Sequence, residues 1–96
     1  MTPLPEISPE QFLDQFEYRA AKYPLQRQWS VGLRIIRAWM NLRSQRTVSQ
    51  DDLDGLLRQF TPDTECMPIY DLWIHVTLWG QELGLSVPER HPWAPT

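Results

Sequence analysis

The sequence predicts an all-α chain: a four-helix bundle with helices over residues 8–22, 25–44, 49–60 and 68–83, flanked by extended, proline-rich tails at 1–7 and 86–96. Three observations lead there. Apolar side chains recur at helical rather than strand spacing in four separate stretches. Two of those stretches open on a serine placed to cap a helix, Ser8 and Ser49. Nine prolines and four glycines punctuate the segments and the tails. Ninety-six residues suit one domain, 1–96, with its core over about 8–85. A chain of this size buries roughly 60–65% of its unfolded surface, enough for one core without disulfide staples.

Helix 1 has the strongest start signal. Ser8 at the N-cap, Pro9 at the first helical position and Gln11 at the third make a capping box, and Ile7 is placed to staple onto Phe12. Phe12, Leu13, Phe16, Ala20 and Tyr23 gather within an arc of about 100°, so this helix is peripheral with one buried face. Tyr18 falls off that arc beside Lys22, as a partner contact or an ordinary exposed tyrosine. Pro24 ends the helix, and the short link that follows implies antiparallel packing of helix 2.

Helix 2 is apolar over more than half its circumference, through Trp29, Val31, Leu33, Ile35, Ile36, Ala38, Trp39, Met40 and Leu42. Its polar edge is a stripe of Arg27, Ser30, Arg34, Arg37, Asn41 and Ser44, with Arg43 and Arg46 near the C-terminal end, where cations suit the helix dipole. In helix 3, Ser49 caps, Asp51 and Asp52 charge the first turn, and Leu53, Leu56, Leu57 and Phe60 form one narrow apolar stripe. Helix 4 is the most apolar. Ile69, Leu72, Trp73, Val76, Trp79 and Leu83 lie among apolar residues around some two thirds of it, leaving an exposed edge of Asp71, His75 and Glu82. Gly84 stops it in a left-handed cap, with Leu85 making the hydrophobic contact that follows. Helices 2 and 4 are therefore expected to form the inner pair, with Ile36, Trp39, Trp73, Val76 and Leu83 buried.

Charge and cysteine usage narrow the function classes. The net charge of −3 divides into an acidic start, a middle block of seven arginines and lysines without an acid, and a mostly acidic remainder. Helical neighbours can neutralise much of this among themselves. The single Cys66 excludes an intramolecular disulfide and fits a reducing, cytoplasmic setting. The N-terminus has no secretory pattern, and no apolar run approaches the ~18 residues of a membrane span.

Sites of chemistry are sparse. Asp71 and His75 are one turn apart, half of a site that lacks further ligands or a nucleophile. Cys66 precedes helix 4, where a helix dipole could activate it, but Glu65 opposes this and His75 is about 13 Å along the axis. No catalytic, nucleotide-binding or calcium-binding motif occurs. A helix-turn-helix reading fails because helix 4 is too apolar for a groove and the start of helix 3 would turn Asp51, Asp52 and Asp54 toward phosphates. The expectation is a small non-enzymatic protein–protein interaction module, an adaptor, regulator or accessory subunit of a larger complex, with no metal or cofactor. Abundant Trp and Arg support this, since both are enriched at interface hot spots. Arg27, Arg34, Arg37 and Asn41 on helix 2 and Trp93 in the C-terminal tail are the expected partner contacts, with homodimerisation possible. The alternative is a nucleic-acid-binding regulator that uses the same arginine stripe.

Overall fold

Ser8 closes the first turn as its sequence foretells. Its N–H donates to Gln11 Oε1 at 2.8 Å while the Gln11 N–H donates to Ser8 Oγ at 3.2 Å, and α1 (Pro9–Lys22) follows. In the computed structural model, which describes residues 7–45, 47–61 and 66–88, three more helices complete an all-α bundle: α2 (Arg27–Ser44), α3 (Gln50–Leu57) and α4 (Met67–Glu82). Among the described residues no helix is long and apolar enough to cross a membrane. Ser49 repeats the capping box with Asp52, both hydrogen bonds at 3.1 Å. Gly84 takes the left-handed conformation, φ 80°. Around it the Leu85 N–H donates to the Gly80 carbonyl at 3.1 Å and the Gly84 N–H to that of Gln81 at 2.9 Å, a Schellman stop for α4.

The core draws Trp29, Val31, Ile35, Ile36 and Trp39 from α2 and Ile69, Leu72, Trp73, Val76 and Trp79 from α4. α1 adds Phe12 and Phe16, α3 adds Leu53, Leu56 and Leu57, and Phe60 closes behind them. Ile36, Trp39, Trp73 and Val76 are buried as expected. Leu83 is not. The helix ends one residue before it, so Leu83 becomes the C-cap and stays 38% exposed, while Leu85 turns inward instead.

The expected inner pair holds, in that α2 and α4 supply most of the buried core. α2 touches all three other helices, and its backbone runs alongside α1 more extensively than alongside α4. Gly32 is what permits this: a ring carbon of Phe16 lies too close to leave room for a Cβ, and Ile69 Cδ1 of α4 lies 3.1 Å from the point a Cβ would take. α2 meets α4 mainly through large side chains, with the Trp39 and Trp79 rings stacked at 5.9 Å. Trp39 Nε1 is buried without an acceptor among the described residues, a cost of about 1–3 kcal/mol that this stacking offsets in part.

Other boundaries move for local reasons. α2 starts at Arg27, two residues late, because Pro24 and Leu25 form a turn that Gln26 closes by donating its N–H to the Tyr23 carbonyl at 3.0 Å. α3 stops at Leu57, and residues 58–60 continue its apolar stripe through tight turns that deliver Phe60 to the core. The chain stays attached beyond residue 85: Gln50 clamps the Ser86 backbone with hydrogen bonds of 2.9 and 2.8 Å, and Val87 packs against the core beside Gly80. The expected tails at 1–6 and 89–96, with Trp93, and the link 62–65 lie outside the described residues, as does Arg46.

Candidate interaction surface

The arginine stripe of α2 faces outward, and Arg34 and Arg37 are engaged at home. Arg37 Nη2 stands 3.2 Å from Glu17 Oε2 of α1, the internal ion pair that antiparallel packing makes available. Both side chains are about half exposed, so the pair contributes only about 0–1 kcal/mol. Arg34 Nε donates to Gln59 Oε1 at 3.3 Å. Asn41 is exposed and its carbonyl accepts a 2.7 Å hydrogen bond from Ser44 Oγ, while Arg27 is exposed at the start of the helix. The four are therefore on one face, and the fifth expected contact, Trp93, lies outside the described residues.

His75 is not on an exposed edge. Its side chain is only 12% exposed, because the Phe12 ring of α1 comes edge-on to it at 4.9 Å and Trp79 lies 6.2 Å away. Nδ1 sits 2.9 Å from the Asp71 carbonyl oxygen and 3.5 Å from its carboxylate. The imidazole thus fills space under α1 and is anchored to its own helix. Cys66 is the half-buried N-cap of α4, and its side chain makes no capping hydrogen bond. Among the described residues no three His, Cys, Asp or Glu side chains converge as a metal would need.

A different surface stands out. Around the α1–α2 turn and the start of α4 the fold leaves large apolar side chains uncovered: Leu25 at 98% exposure, Met67 at 78%, Tyr18 at 66%, and Tyr23 and Tyr70 near 40%. A groove of about 440 Å³ runs between α1 and α4 at this end. The buried Phe16 and Trp29 form its floor, Met67 and Tyr70 flank it on α4, and Gln15 and Arg19 flank it on α1. Arg19 lies over Trp29, with Cζ 4.9 Å from the ring centroid, which holds the guanidinium at the rim. The same arginine borders a second depression on the outer side of α1 with Asp14, Tyr18, Lys22 and Tyr23. There Lys22 Nζ lies 5.7 Å from the Tyr18 ring and 5.6 Å from that of Tyr23.

Sequence periodicity singles out only Tyr18 from this group. Leu25 and Met67 sit in a turn and at a first helical position, where neither helical face nor burial can be read from spacing. Tyr70 shares an arc with core residues, and only the placement of α1 leaves its edge open. Compared with protein-family models, curated proteins and solved structures, the chain has no significant match.

Proposed function

We propose that this chain is a non-enzymatic protein–protein interaction module, an adaptor, regulator or accessory subunit, and that the end of the bundle carrying the α1–α4 groove is its docking face. The observation that carries the reading is the cluster of five exposed aromatic and apolar side chains there. Met67 and Tyr70 flank the groove itself, and large apolar side chains left exposed beside a groove mark an interaction site. Tyrosine and arginine at the rim are the side chains that give interfaces their strongest contacts. The groups that could have suggested a reaction have structural employment, His75 packed beneath α1 and Cys66 packed against the core. A cytoplasmic setting fits the single cysteine.

This moves the proposed contacts from the α2 stripe, where Arg34 and Arg37 already have neighbours, to the groove. Fractionation of extracts from the cell that makes the protein separates the two. The expected result is that the wild-type chain travels in a particle larger than the purified 11.4 kDa chain forms by itself, that Leu25→Ser with Met67→Ser returns it to the size of the purified chain, and that Arg34→Glu with Arg37→Glu does not. Release by the stripe pair alone, with binding that weakens steeply in salt, would overturn this placement in favour of phosphate recognition.

A further inference from the structure

We propose that the outer face of α1 receives α1 of a second copy of this chain, antiparallel, across a two-fold axis at Tyr18. The inference rests on the interaction-module reading and names the partner for one part of that face. Asp14, Tyr18 and Lys22 follow one another at intervals of four residues, so they form a single stripe, with the two charges about 6 Å on either side of the tyrosine along the axis. Tyr18 is 66% exposed, and neither Asp14 nor Lys22 has an ion-pair partner among the described residues. The neighbouring Glu17, which faces α2, is paired with Arg37.

An opposite-charge pair placed symmetrically about an aromatic side chain is what a two-fold seam requires. In an antiparallel pair Asp14 of each copy lies across from Lys22 of the other, and the two Tyr18 rings meet at the axis. A uniformly acidic partner would meet Asp14, and a basic one or a phosphate chain would meet Lys22 or Asp14 with its sign wrong; the stripe complements itself better than either. Lys22, seated against Tyr18 and Tyr23, is already oriented along this face, which lowers the ordering cost of the contact.

Sedimentation of the purified full chain over a concentration series tests the seam. The wild type is expected to form dimers. Asp14→Lys and Lys22→Glu, each alone, put like charges opposite one another at both ends of the seam and weaken dimerisation about tenfold or more. Mixed in equal amounts, the two variants restore opposite charges at both ends. The introduced lysine of one then faces the introduced glutamate of the other, the native Lys22 faces the native Asp14, and dimerisation returns to near the wild-type level. Both positions are exposed, so helicity is unchanged; if a swap nevertheless misfolds, Tyr18→Ala takes its place, with loss of the dimer expected. A wild-type chain that stays monomeric at the highest concentrations, or variants whose mixture fails to recover, overturns the proposal. The fractionation above would still report a different partner at the groove, so the two readings fail separately.

Discussion

Gly32 and Gly55 are both helical glycines with opposite expected responses to a methyl group. At Gly32 the Phe16 ring leaves no room for a Cβ and Phe16 is itself buried, so Gly32→Ala forces α1 and α2 apart. A loss of about 1–3 kcal/mol in urea unfolding is expected. Around Gly55 nothing lies within 4 Å. Gly55→Ala should therefore stabilise by about 0.5–1 kcal/mol through backbone entropy alone. Equal effects at the two positions would contradict the packing described. Part of the difference is legible in the sequence, since Gly32 lies within the wide apolar arc of helix 2 and Gly55 lies opposite the narrow stripe of helix 3; the Phe16 ring against Gly32 is not legible there. Burial of Phe12, Ile36, Trp39 and Val76 is legible, because each lies in the middle of a wide apolar arc.

At the scale of the element, starts are clearer than stops. Ser8 and Ser49 carry their own chemistry, a hydroxyl that accepts from the third helical N–H, and both do so. Ser49→Ala is expected to cost about 1 kcal/mol in the thermal or urea unfolding free energy, since α3 is only eight residues long and depends on its cap. Periodicity overestimates the reach of α3 toward Phe60 because tight turns preserve the same apolar stripe that a helix would. It misplaces His75 for a related reason: periodicity measures a residue's own helix, and what buries this ring is Phe12 of another. The arginine stripe does lie on one face of α2, and one of its arginines, Arg37, makes an ion pair to α1. Arg37→Glu should lower stability by no more than about 1 kcal/mol, and less in high salt. A loss several times larger would mean that the Glu17 pair is a keystone of the α1–α2 contact.

The whole molecule depends on α2 as a hub, gripped by α1 at Gly32 and bridged to α4 by stacked tryptophans. That arrangement covers the middle of the bundle and, among the described residues, leaves the α1–α2 turn and the first turn of α4 exposed. Composition indicates a surplus of aromatic residues but does not say where the surplus surfaces. The face is a tertiary product, assembled from a turn, a helix start and the outer side of α1. Its most direct test is site-specific photo-crosslinking in the cell that makes the protein. A benzophenone side chain at position 25 or 67 is expected to form a discrete covalent adduct, while the same group at the exposed position 58, beyond the end of α3, forms none. Adducts at 58 alone, or none at 25 and 67, would contradict the claim that this end of the bundle is the docking face.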